Sequence, residues 1–141
     1  MPVIQPAPAD QAGITEVEAG LLGASVNQAS HGFAVGDIIR NNNGTWAKAQ
    51  ADSAANAGSG EQLAVVDTVT DVNNFTPRYG GKLTLSSHGY TEGDEVYLDA
   101  STAGARTTTA PSTAGQVVIK VGSAYDADTL LIDIDGGYVV E

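Results

Sequence analysis

Two histidines, His31 and His88, and the carboxylates spaced around them are the residues of this chain best equipped for chemistry. Each histidine stands six residues before an aspartate, Asp37 and Asp94. Imidazole with carboxylate serves both metal ligation and proton transfer. A transition-metal site, however, needs three or four ligands converging on one point, and the sequence has no cysteine. Asp126, Asp128, Asp133 and Asp135 look at first like a calcium cluster. They do not supply the ordered positions and the bidentate glutamate of an EF-hand loop, so they read as solvated turns. There is no G-x-S-x-G elbow, and both histidines sit inside one repeated motif, so a hydrolase triad lacks material. The glycines of Ala57-Gly58-Ser59-Gly60 are not followed by the Lys-Ser/Thr and helix that cradle a phosphate. The expectation is therefore no catalytic residue, no metal and no cofactor.

The context of the histidines explains them better. His31-Gly32-Phe33-Ala34-Val35-Gly36-Asp37-Ile38-Ile39 recurs 57 residues later as His88-Gly89-Tyr90-Thr91-Glu92-Gly93-Asp94-Glu95-Val96, a His-Gly-aromatic-x-x-Gly-Asp-x-aliphatic pattern. Asp71-Val72-Asn73-Asn74-Phe75 matches Asp126-Ala127-Asp128-Thr129-Leu130, and Gly80-Gly81 matches Gly136-Gly137, at offsets of 55 and 56. A recurrence at one period marks a repeated supersecondary unit. Within it Gly32 and Gly89 permit backbone angles closed to other residues, and Phe33 and Tyr90 plug the core. Gly36-Asp37 and Gly93-Asp94 make turns whose carboxylates cap free amides. Each imidazole is expected to hydrogen-bond its own loop.

The elements that carry these motifs are short strands. Of 141 residues only 16% are charged, aromatics are few, and Gly and small polar residues abound, a composition suited to strands and turns. Strands are expected at 37–40, 45–49, 62–70, 75–79, 82–86, 95–99, 116–123, 129–133 and 138–140. Asn41-Asn42-Asn43-Gly44 is a hairpin signal. The small, polar stretch 50–60 reads as a mobile loop, and Trp46 as a core or subunit-interface anchor. The fold class is all-β: a small β-barrel or β-tulip-like domain over residues 30–141, built from pseudo-repeats at about 31–81 and 88–137. Residues 1–29 read as an N-terminal arm, extended or partly helical. Pro2, Pro6 and Pro8 keep its start extended, while Ile14, Val17, Leu21 and Leu22 recur near helical spacing.

Charge excludes some partners. Six Lys and Arg against seventeen Asp and Glu give a net charge of −11, which repels phosphate backbones and anionic membranes. Neither nucleic acid nor membrane is expected as a partner. Apolar runs such as residues 63–66 fall far short of a membrane span, and the first residues lack the features of a secretory signal.

From the His-Gly-Phe-x-x-Gly-Asp-x-Ile stretch through Trp46-Ala47-Lys48-Ala49 and Gly93-Asp94-Glu95-Val96-Tyr97-Leu98-Asp99 to 110–118, the sequence resembles small β-rich structural proteins of tailed bacteriophages. The likeness spans roughly residues 29–137 and is to capsid decoration (cement) proteins and to head or tail fibre modules. It implies a compact β domain, commonly a homotrimer, on the outer capsid surface of the virion, bound to the major capsid protein. The alternative it implies is a fibre or baseplate module for adaptor or receptor binding. In the decoration reading Val3, Ile4, Ile14, Val17, Leu21 and Leu22 are the apolar anchors of the arm toward the capsid or a neighbouring subunit.

Overall fold

The computed structural model describes residues 20–141. Their regular structure is entirely β, in two five-stranded antiparallel sheets and one two-stranded ladder. The first sheet contains β1 (Val26–Asn27), β2 (Ile38–Asn42), β3 (Thr45–Lys48), β4 (Gln62–Asp71) and β5 (Asn74–Arg78), in the order β1-β5-β4-β2-β3. The second contains β6 (Gly80–Thr84), β7 (Glu95–Leu98), β8 (Arg106–Thr107), β10 (Lys120–Asp126) and β11 (Thr129–Asp133), in the order β6-β11-β10-β7-β8. β9 (Val117–Val118) pairs with β12 (Tyr138–Val139). Matching β1, β2, β3, β4 and β5 to β6, β7, β8, β10 and β11 makes the two sheet orders coincide.

Alternation along the strands sorts side chains into two cores. Ile38 and Val65, paired across β2 and β4, face the second sheet and join Leu83, Val96, Leu98, Val121, Leu130 and Ile132. Their neighbours Ile39, Ala64 and Val66 point the other way, onto Phe33, Trp46 and Phe75. Because β4 is buried on both faces, Ala64-Val65-Val66 forms an unbroken apolar run rather than an alternating one. Trp46 is a core residue, 6% exposed and edge-on to Phe75 at 6.4 Å.

Turn chemistry sets the hairpins. Asn43 (φ 58°) and Gly44 (φ 95°) both take positive φ between β2 and β3, the requirement of a type I′ turn that matches strand twist. The β4–β5 and β10–β11 hairpins each shift register just before the turn, between Val69 and Asp71 and between Ala124 and Asp126. A bulge therefore increases the local twist at the same place in both.

Several expectations need correction. The first sheet is not a hydrogen-bonded closed barrel. Its end strands meet through one side chain: Gln28, just after β1, donates through Nε2 to the Trp46 carbonyl (2.9 Å) and accepts the Trp46 N–H (2.8 Å). The amide copies a peptide group, so the curled sheet is joined by a side chain where a barrel would have a ladder. The arm boundary near 29 also moves, because Val26 and Asn27 pair with Phe75 and Asn74 as a full member of the sheet. No helix occurs among the described residues; the part of the helical spacing before residue 20 lies outside them. β1 and β8, each two residues long, carry too little pattern to be anticipated. The stretch 116–123 is interrupted at Ile119, between β9 and β10. Segment 50–60 is small because it is packed, with Ala51 and Ala57 in the inter-sheet core. Turn bonds such as Gln50 N–H to Asn56 O (2.9 Å) and Ala57 N–H to Ser53 O (2.9 Å) organise it.

Candidate functional site

The two histidine loops carry the same set of bonds. His31 Nδ1 accepts the Phe33 N–H at 2.9 Å, and its Nε2 contacts the Asp71 carbonyl at 2.8 Å. His88 Nδ1 accepts the Tyr90 N–H at 3.0 Å, and its Nε2 contacts the Asp126 carbonyl at 2.6 Å. One nitrogen must accept and the other donate, which fits the neutral ring with its proton on Nε2. Each ring thus fastens its own loop to the hairpin tip of the same sheet, a link longer in reach than the expected bond within the loop. The rings stack on the aromatic two residues on, His31 on Phe33 at 5.3 Å and His88 on Tyr90 at 5.1 Å.

The remaining motif residues complete the loops. Asp37 Oδ2 accepts the Ala34 N–H and Asp94 Oδ2 the Thr91 N–H, both at 2.9 Å. Gly36 (φ 92°) and Gly93 (φ 89°) occupy the left-handed region that the turn requires. Their N–H groups donate to the carbonyls of Val66 and Ala124, at 2.8 Å each. Gly32 and Gly89 also take positive φ. Phe33 is buried edge-on to Phe75, and Tyr90 is half-buried against the inter-sheet core.

The hairpin tips hold the other end. Asp71 accepts the Asn73 N–H at 2.8 Å and the Asn74 amide at 2.9 Å; Asp126 accepts the Asp128 N–H at 2.9 Å. These bonds favour the ionised form. The Asn73 N–H, and then the Asn74 side chain, hold the Asp71 carboxyl below its ordinary value. The Asp128 N–H, and then the Thr129 side chain, do the same for Asp126. Asn73 Oδ1 and Asp128 Oδ1 in turn accept the N–H of Ser30 and Ser87, at 2.9 Å each. So Asp126 and Asp128 serve as turn acceptors. The recurrence of both the histidine motif and the aspartate turn was the sequence signal that the two loops are alike; the bond from each histidine to its turn, 40 residues on for His31 and 38 for His88, was not anticipated.

The anchor residues divide. Val3, Ile4, Ile14 and Val17 lie outside the described residues. Leu21 and Leu22 pack on their own chain: the Leu21 carbonyl accepts the N–H of Tyr79 at 2.6 Å, Leu22 bridges to Arg78, and both are half-buried.

A cleft that no motif announced lies elsewhere, between the 54–61 loop and the 135–139 segment. It holds about 320 Å³ over a floor of Ala57, Leu63, Val117 and Ile119, with Glu61 and Asp135 at its sides. Tyr138 and Val139 form its outer wall and are 65% and 48% exposed.

All six cations of the chain are engaged within the fold. Arg40 pairs with Glu61 (3.0 Å), Lys48 with Asp37 (3.7 Å), buried Arg78 with Asp67 (2.7 Å) and Lys120 with Glu95 (3.8 Å). Lys82 sits 4.0 Å from the Tyr125 ring centroid, and Arg106 donates to the Gly36 carbonyl. The surface charge left over is acidic.

A scan against protein-family models, a search of curated proteins and a search of solved structures each return no match.

Proposed function

We propose that this chain is a virion structural protein. It acts as a capsid decoration protein that binds the outer surface of the head and bridges adjacent major capsid subunits. In this reading the domain is two copies of one β unit, working as a homotrimeric mechanical clamp. The observation that carries it is the use made of the reactive side chains. Both histidines and their turn carboxylates are bonded to backbone N–H and carbonyl groups in matching sets. Groups so engaged tie loops to sheets, as an adhesive scaffold under load requires.

The sequence resemblance to phage cement proteins supports the same reading, as does the acidic surface, which keeps particles apart in solution. A subunit at a capsomer junction touches partners that must separate when the shell ruptures, so modest contacts combine through effective concentration. Val3, Ile4, Ile14 and Val17 are the proposed arm anchors, with Leu21 and Leu22 fixing the root of the arm to the domain.

A second reading, a fibre or baseplate module for receptor or adaptor binding, draws on exposed Tyr125 and Tyr138, since a glycan-binding tip presents aromatics for stacking. Adding purified protein to heads that lack it separates the two. Decoration raises the temperature of head rupture in a saturable way and is weakened by deletion of residues 2–19. No binding to heads, with binding to host surface glycans instead, would favour the fibre module.

A further inference from the structure

We infer that the cleft beside β12 is the docking surface for an extended partner segment carrying apolar residues flanked by lysine or arginine. The inference rests on the virion reading above and names the contact surface that reading needs. The cleft floor is apolar, and its outer wall exposes Tyr138 and Val139 in full view of solvent. β12 is the edge of a two-stranded ladder, bonded to β9 on one side only. An extended chain added to that edge gains main-chain hydrogen bonds while its side chains enter the adjoining hollow.

Charge fixes the rest of the partner's chemistry. Every cation of this protein already has a partner within the fold. The side-chain carboxylates of Asp133, Asp135 and Glu141, by contrast, accept no hydrogen bond or ion pair among the described residues; Asp135 lines the cleft, and Asp133 and Glu141 lie on the chain to either side of its wall. Glu61 on the opposite side is neutralised by Arg40. An acidic segment would meet uncompensated repulsion here, whereas a basic one finds the open Asp135 carboxylate in a surface whose cations are all engaged, and such complementarity selects partners and speeds encounter.

The test uses the full chain and three short synthetic peptides: Val-Leu-Val flanked by lysines, Ser-Ser-Ser flanked by lysines, and Val-Leu-Val flanked by glutamates. Amide NMR titration should show the first binding at least tenfold tighter than the other two, with shifts concentrated at Gly58, Gly60, Gly136, Gly137 and Val139. Equal binding of the serine peptide, with shifts spread over the acidic surface, would overturn the inference, as would shifts centred elsewhere. The Asp135→Asn/Tyr138→Thr variant, whose Asp135 backbone bond to Lys120 is unaltered, should keep its melting temperature and lose about tenfold in peptide affinity and in head occupancy. Lost peptide binding with normal head occupancy overturns the cleft as the capsid contact and leaves decoration standing. Cleft binding of the peptide by a protein that never attaches to heads rejects the virion reading while the chemistry of the surface stands.

Discussion

Truncating His31 or His88 to alanine isolates the contribution of the loop fasteners. In each variant one half-buried N–H, of Phe33 or Tyr90, loses its acceptor at 2.9 or 3.0 Å. An unpaired donor of this kind costs about 1–3 kcal/mol. The freed carbonyl of Asp71 or Asp126 lies at an exposed hairpin tip and turns to water at little cost. The lost ring stack, at 5.3 or 5.1 Å, adds about 0.5–1 kcal/mol. His31 also meets Phe75 edge-on at 5.2 Å, where the matching residue of the second loop's hairpin is Leu130. The expected loss is roughly 1.5–4 kcal/mol for His88→Ala and about 0.5–1 kcal/mol more for His31→Ala. For a domain of this size that lowers the melting temperature by roughly 5–12 °C. Urea unfolding followed by Trp46 fluorescence, with calorimetry at neutral pH, measures both. The two losses should add in the double variant, because the rings share no partner. A loss below about 0.5 kcal/mol for either variant, the range of an ordinary surface change, would refute the assignment of these rings as fasteners.

Acid should weaken the same tips. Asp71 and Asp126 have folded values below the ordinary 3.8, so their contribution is complete above that pH and is lost as pH falls through the lower folded values. Urea midpoints between pH 2 and 6 should fall less steeply in Asp71→Asn/Asp126→Asn, whose amide oxygens still accept the turn bonds; an unchanged slope would count against it. Gln28→Ala leaves the Trp46 N–H and carbonyl without their side-chain partner, and about 1–2 kcal/mol of stability should go with them. A red-shifted Trp46 emission would mark the opened seam, and an unaltered spectrum and midpoint would contradict it. At Gly122 an added Cβ would lie 1.9 Å from the Leu131 carbonyl oxygen, so Gly122→Ala must displace backbone between β10 and β11. It should cost at least about 3 kcal/mol, beyond ordinary overpacking, and a circular-dichroism melt matching wild type would disprove the contact.

Elements with strong local signals were legible in the sequence. Asn43-Gly44 demands positive φ twice, and the strands β4 and β11 announce themselves by β-branched and apolar runs. The recurrence of the His-Gly-aromatic motif marked the two loops as alike, but the bonds from His31 to Asp71 and from His88 to Asp126 were not foreseen, since they join segments 40 and 38 residues apart. What stayed hidden depends on distant partners. β1 and β8 are two residues long and are ordered by the strands beside them rather than by pattern. Gln28 closes the curl of the first sheet with an amide that looks like any polar surface residue. Ala51 and Ala57 are small because the inter-sheet core leaves no room for more, a reason that composition renders as a polar loop. The cleft arises where the 54–61 loop and the 135–139 segment approach, far apart in the chain, so no motif records it.

The proposed decoration role places this protein on the outer head surface. Cryo-electron microscopy of intact virions carrying a gold-labelled antibody against residues 20–141 tests it most directly. Label distributed over the head lattice at regular capsomer positions is the predicted result. Label confined to the tail, or none on the particle, would contradict it.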